Sequence, residues 1–150
     1  MQRTLVLLKP DAVQRGLVGE LILRIERRGL RFLAMKLLAM DKEMAHLHYG
    51  PHIGKPFFEG LVEFITSAPL VAMVVEGERA IEVLRNVMGA TDPVDASPGT
   101  IRGDLATSIG LNLVHGSDSP EEAAREIALF FRPEEIETYS RDIDRWIIES

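Results

Sequence analysis

Thr4-Leu5-Val6-Leu7-Leu8-Lys9-Pro10-Asp11 reads as a strand breaking into a turn: an aliphatic run this short suits burial on both faces, and Pro10 ends it. The period then changes. Val13, Leu17, Val18, Leu21, Ile22 and Ile25 recur at helical spacing, with Arg24, Arg27 and Arg28 off the stripe and Gly29 as a C-terminal stop. One helix is expected there. Arg31 to Ala39 returns to period two, with Leu33, Met35, Leu37 and Ala39 on one side, which predicts a second strand. Glu43 to Tyr49 and Phe57 to Thr66 read as helices separated at Gly50-Pro51. Leu70 to Val75 is apolar on both faces and so predicts a central third strand, and Ala80 to Met88 aligns Ile81, Leu84, Val87 and Met88 as a helix.

From Gly89 to Gly103 the pattern stops, and a long loop in a compact unit is more often functional than not. Ile109 to Val114 predicts a last strand that empties into His115-Gly116-Ser117-Asp118. Ser119-Pro120-Glu121-Glu122 then carries a helix start, with Ser119 as N-cap, Pro120 at the first helical position and Glu122 three after the cap. Ala123, Ala124, Ile127, Ala128 and Phe131 form that helix's expected inner stripe, and Glu126 falls off it. The order of elements fits an α+β sandwich, one mostly antiparallel sheet with helices packed on it. No repeat, linker or low-complexity tract divides residues 1–150, which read as one domain.

Composition narrows the function. The chain has 150 residues, 46% of them hydrophobic, so it has material for a sizeable core. It has no Cys, which excludes a disulfide scaffold, a thiolate nucleophile and a Cys-type zinc site. The longest apolar run, Leu70 to Val75, is too short to span a membrane, and Met1 to Thr4 leads into a strand without a signal-type apolar region, so a cytoplasmic protein is expected. A net charge of −6 argues against a broad nucleic-acid footprint. Any anion must then be gripped by a local cluster of basic side chains.

The familiar phosphate cradles are missing. Gly50 to Lys55 mimics a Walker loop, but Pro56 stands where a Ser or Thr should bind magnesium, and no G-x-G-x-x-G occurs. His46, His48 and His52 do not share one side of a helix and read as solvated surface rather than metal ligands. His115 differs. It lies at a strand end, followed by a glycine and the N-terminus of a helix, whose free N–H groups favour anions. Lys9, Arg85, Thr91 and Arg102, each an ordinary surface residue when taken alone, make with His115 a constellation suited to phosphoryl transfer. Arginine forks hold phosphate oxygens, and a neutral imidazole can accept a phosphoryl group on nitrogen.

The segments Lys9-Pro10-Asp11-Ala12-Val13-Gln14-Arg15-Gly16, His48-Tyr49, Lys55-Pro56-Phe57-Phe58, Ala90-Thr91-Asp92-Pro93, Pro98 to Asp104 and Asn112 to Ser119 resemble those of nucleoside diphosphate kinases, nearly collinearly from Arg3 to Trp146. The resemblance implies a ferredoxin-like sandwich, a four-stranded, mostly antiparallel sheet covered by helices. It implies transfer of the γ-phosphoryl of a nucleoside triphosphate, typically ATP, to a nucleoside diphosphate by a ping-pong route through phosphohistidine at His115. By motif position, Lys9 and Asn112 reach the sugar, Lys9 also the phosphates, and Arg85, Thr91 and Arg102 hold the phosphates. Phe57 stacks on the base, with Leu61 and Ile109 completing an apolar slot. Tyr49 and Glu126 position the imidazole or its surroundings, and Ser117 supports it by hydrogen bonding. Mg²⁺ arrives with the nucleotide, Asp118 contacting it through water, and no direct protein ligand for it is expected.

Relatives assemble as hexamers or tetramers, and the chain's continuation through Tyr139, Trp146, Ile147 and Ile148 resembles the hexameric members, so a homo-hexamer is favoured. Neither a membrane nor a specific nucleic acid is expected as partner. Two positions depart from the family's pattern, Leu111 where many relatives carry Arg and Leu105-Ala106 where an aromatic is usual. Neither is expected to touch the transferred phosphoryl.

Overall fold

A computed structural model describes residues 1–149. Its frame is a sheet of four strands, β1 (Gln2–Leu8), β2 (Arg31–Leu38), β3 (Leu70–Gly77) and β4 (Val114–Gly116), in the order β2-β3-β1-β4 with every pairing antiparallel. Seven α-helices accompany it: α1 (Pro10–Gln14), α2 (Val18–Arg27), α3 (Lys42–His48), α4 (Phe58–Ile65), α5 (Ala80–Met88), α6 (Ile101–Leu105) and α7 (Pro120–Phe130). The α+β sandwich expected from the order of elements is the one observed.

β1 and β3 are central because both their faces are apolar. Val6, Leu8, Met73 and Val75 pack on one side against Leu21 and Ile25 of α2 and Leu84 of α5. Leu5, Leu7, Ala72 and Val74 pack on the other against Ala45 of α3, Val62 of α4 and Phe130 of α7. At about 25 cal/mol per Å² of apolar surface removed from water, these two layers are the main force holding helices to sheet.

Four local readings need correction. The helix expected from Val13 to Ile25 is two helices, because Gly16 takes φ +70° and the Leu17 amide donates to the Ala12 carbonyl at 3.0 Å, which closes α1. The inward face expected of β2 is broken by a bulge. The register slips between Phe32 and Ala34, so Leu33 and Ala34 are both buried while Met35 and Leu37 are exposed. The Gly89 to Gly103 stretch holds a 3₁₀ turn at Pro93–Asp95 and the first turn of α6, so Arg102 sits on a helix rather than in a loop. Finally, the strand expected at Ile109 to Val114 is displaced to Val114–Gly116. Residues 108–111 form an isolated bridge, and Leu113 takes φ +73°, a conformation costly for a branched side chain and held here by burial.

The displacement of β4 sets the site. His115 lies within that strand opposite Leu7, not at its end, and cross-strand partners point to the same face. It therefore projects to the side covered by α3, α4 and α7.

Candidate active site

A cleft of about 830 Å³ opens where β1 ends, with β4, α3, α5, α6 and α7 around it. Lys9 enters it directly after β1, fixed by its amide hydrogen bond to the Leu113 carbonyl (2.9 Å), while the Asp11 carboxylate accepts from the Leu113 amide (3.0 Å). The Lys9 ammonium donates to Asn112 Oδ1, and Asn112 Nδ2 donates to the Thr91 carbonyl at 2.9 Å. Burial pulls the Lys9 amine down to about 8, against a smaller upward pull from Asp11.

Arg102 is buried and donates three bonds to backbone carbonyls: Nε to Asn112 (3.2 Å), Nη1 to Gly89 (3.0 Å) and Nη2 to Val114 (2.6 Å). These bonds lock the loop to β4. A guanidinium has five N–H groups, so two remain for a ligand in the cleft. Burial, and then the charge of Arg85, lower Arg102 to about 10, so it remains cationic at neutral pH. Arg85 is exposed on α5 and lines the same cleft, and among the described residues its side chain has no ion-pair or hydrogen-bond partner.

His115 is held from behind. Its Nε2 lies 2.9 Å from Glu126 Oε2, and Ser117 Oγ donates to Glu126 Oε1 at 2.6 Å. Burial by itself would raise the Glu126 carboxyl, but the hydrogen bond and charge of His115 and the Ser117 hydroxyl outweigh it and hold it at about 2. Glu126 is thus a buried carboxylate, contrary to the solvated place its period suggested. The inner stripe of α7 is Ala123, Glu126 and Phe130, and Ala124 and Ala128 are exposed. Ser119 caps the helix as expected, accepting from the Glu122 amide at 3.2 Å.

The sequence reading missed His48. It is buried rather than solvated, with its ring 5.0 Å from that of His115 and Nδ1 3.2 Å from Glu126 Oε2, in a direction that makes no hydrogen bond. Burial and the nearby charge of His115 push it down to about 3, so it is neutral. Its place on the inner face of α3, three residues after the buried Ala45, shows only in the packed structure. Arg125 was also missed: it bonds the Leu47 and His48 carbonyls (3.0 and 3.2 Å) and so ties the C-terminus of α3 to α7. Tyr49 packs on His48 with ring centroids 4.6 Å apart, and burial raises its phenol to about 12.

At the mouth of the cleft stand Phe57, half exposed, with Leu61 and Ile109. Thr91 and Asp118 line its sides. Every site residue expected from the sequence lines this one cleft except Ser117, which lies beneath it against Glu126. For metal ligation the cleft offers one compact donor group among the described residues: His48, His115 and Glu126, whose ligand atoms lie within 4.8 Å of one another. No helix among the described residues is long and apolar enough to cross a membrane.

Comparison with known proteins agrees with this geometry. Residues 2–136 match the family model for nucleoside diphosphate kinase. The chain is 62% identical over 148 residues to a nucleoside diphosphate kinase of Thermomicrobium roseum, covering 99% of both chains. It is 56% identical over 149 residues to that of Archaeoglobus fulgidus, again covering 99% of both. Among solved structures, a halophilic nucleoside diphosphate kinase from Halobacterium salinarum in complex with CDP superposes with a TM-score of 0.95 at 51% identity, covering 99% of each chain. A nucleoside diphosphate kinase family protein from Babesia bovis does so with 0.95 at 45%, covering 98% of this chain and 99% of that one. A cleft that presents a braced imidazole to two arginines and a lysine, on a chain matched over nearly its whole length by these enzymes, places the protein in the nucleoside diphosphate kinase family, with that family's phosphotransferase activity.

Proposed function

We propose that His115 Nδ1 is the atom that carries the phosphoryl group. The observation that supports this most is the 2.9 Å contact between His115 Nε2 and Glu126 Oε2. A carboxylate accepts and does not donate, so the neutral ring keeps its proton on Nε2 and its lone pair on Nδ1. The Nδ1 lone pair attacks the γ-phosphorus, the bond from that phosphorus to the β,γ-bridging oxygen breaks, and the nucleoside diphosphate leaves with the electron pair. The ring, now positive, is stabilised by Glu126 through Nε2–H. A terminal oxygen of a second diphosphate then attacks the same phosphorus and the P–N bond breaks, restoring the neutral imidazole.

Lys9 and Asn112, already bonded to each other, are positioned to take a sugar hydroxyl, with Lys9 also near phosphate. Arg85, Thr91 and the two unused N–H groups of Arg102 hold the β- and γ-phosphates. Phe57, exposed at the mouth, stacks on the base against Leu61 and Ile109. Stacking reads no hydrogen-bonding edge, so purines and pyrimidines are both accepted. Tyr49 acts on the imidazole's surroundings through its contact with His48, and Glu126 and Ser117 act directly.

Mg²⁺ demands oxygen ligands and keeps several waters. Of the two exposed-side carboxylates lining the cleft, Glu122 is paired with Arg125 and Asp118 has no partner among the described residues, a donor set that fits a nucleotide-borne ion touched by Asp118 through water. Bound there, the ion offsets phosphate charge and fixes the triphosphate's shape. We further read the enzyme as cytoplasmic and as a homo-hexamer.

The test uses γ-labelled ATP without acceptor. The protein takes up acid-labile, base-stable label that GDP or dTDP removes, and His115→Ala takes up none. Label retained by His115→Ala contradicts the assignment.

A further inference from the structure

We propose that His48 Nδ1, His115 Nε2 and Glu126 Oε2 form an inhibitory site for a zinc-type divalent cation, which when bound prevents His115 from accepting a phosphoryl group. The blocking half of this proposal rests on the reading of Nδ1 as nucleophile, whereas the binding half does not.

Two of the three ligand separations are already close to those around a bound ion. Glu126 Oε2 stands 2.9 Å from His115 Nε2 and 3.2 Å from His48 Nδ1, and all three atoms lie within 4.8 Å of one another. A tetrahedral zinc with bonds of about 2.0–2.1 Å separates its ligands by about 3.3–3.4 Å, so the two imidazole–carboxylate distances need shifts of a few tenths of an ångström, and the two rings, with nitrogens within 4.8 Å of each other, need to close by about 1.4 Å at most. His48 Nδ1 is a buried polar atom without a hydrogen-bond partner in a side chain only 1% exposed, which calls for an explanation that a ligand would supply. Ser117 occupies the other Glu126 oxygen and so aims Oε2 at the two rings, the kind of outer-sphere support that metal carboxylates use. The fourth position opens to the cleft beside His115, whose side chain is 30% exposed. The neighbouring charge of Arg125 is already matched by Glu122 at 2.7 Å.

Two imidazole nitrogens and one carboxylate select Zn²⁺, Co²⁺ or Ni²⁺ over Mg²⁺. The ion meant for the nucleotide therefore does not compete. The chemical consequence follows from the tautomer. A cation on Nε2 displaces the proton held there, and a neutral ring then takes its proton from solvent on Nδ1. The lone pair that attacks phosphorus is lost, with no net change in the ring's own charge.

Cobalt(II) makes the site visible without any turnover. The full chain should bind one Co²⁺ with a tetrahedral visible spectrum that one equivalent of Zn²⁺ abolishes. His48→Phe, and separately His115→Ala, at a side chain 30% exposed where that of His48 is 1%, should each weaken binding roughly ten-fold or more, since losing a ligand costs at least what losing its outer support does. The double variant His46→Gln, His52→Gln should bind as the wild type does. Protein loaded with Zn²⁺ and freed of excess should take up little label from γ-labelled ATP, and a chelator should restore uptake. No one-to-one binding, binding that survives both His48→Phe and His115→Ala, or loss confined to the His46 and His52 double variant overturns the site. Full label uptake by the zinc-loaded protein overturns the block. If the metal-free wild type takes up no label, the nucleophile reading fails instead, and the cobalt spectrum still decides the site.

Discussion

Glu126 divides its two oxygens between partners with different tasks, Ser117 fixing one and His115 the other. In the proposed mechanism, that division lets a single carboxylate set the tautomer of the ring and answer its positive charge once a phosphoryl group is attached. Lys9 sits under an opposite tension. Burial holds its amine near 8, well below the usual lysine value of 10.5, so the folded protein resists charging it where the unfolded chain would not. The sign follows: the cost of burying the charge is fully present below pH 8 and fades as pH rises from 8 towards 10.5. A bound triphosphate reverses the balance by favouring the ammonium. Near pH 8, where about half of the Lys9 amines are neutral, nucleotide binding should therefore take up as much as about half a proton more in the wild type than in Lys9→Met. Calorimetry in buffers of different ionisation heat measures this, and equal uptake by the two proteins contradicts it.

Among the elements, α6 and the loop before it do most to place the groups proposed to hold phosphate. Thr100 caps α6 by accepting from the Gly103 amide at 3.0 Å, and Arg102 on that helix clamps Gly89, Asn112 and Val114. A Cβ at Gly103 would overlap the Ser97 carbonyl, a backbone atom that has nowhere to go without moving the loop. Gly103→Ala should thus cost about 1–3 kcal/mol of stability by overpacking. It should also lower activity about a hundred-fold, because a shift near 1 Å in a positioning group costs that much. Chemical denaturation and steady-state rates check the two effects, and unchanged kinetics would show that Arg102 is not placed by this turn. The same elements show what the sequence carried and what it did not. β3 and α5 were legible because their periods are unbroken, and Ser119 because a cap is a local signal. The break at Gly16, the bulge at Leu33 and the displaced β4 were not. Each is a backbone irregularity whose cause is tertiary, as with Leu113, whose amide donates to Asp11 of α1 and whose carbonyl accepts from the Lys9 amide just after β1. His48 was misread for the same reason, because a short helix shows its inner face only once α7 is packed against it.

For the molecule as a whole, the segment after α7 matters. It runs back along β2, with Tyr139 Oη donating to the Phe32 carbonyl at 2.5 Å and Arg141 donating to the Gly29 carbonyl at 2.9 Å. Trp146 nevertheless remains 79% exposed, with Ile143 and Ile147 about half so. An apolar strip of this kind on a chain of −6 net charge is suited to contact between copies. Light scattering should return about 100 kDa, six times the 16.7 kDa chain, and a monomer mass contradicts the hexamer. The catalytic reading itself turns on which ring nitrogen of His115 bears phosphorus, since the buried carboxylate engages Nε2 and Nδ1 is the nitrogen proposed to take the phosphoryl group. Phosphorus–nitrogen correlation NMR on ¹⁵N-histidine protein, phosphorylated from ATP and kept alkaline, reads this directly. Coupling of phosphorus to His115 Nδ1 is the expected result. Coupling to Nε2, or to any other residue, contradicts it.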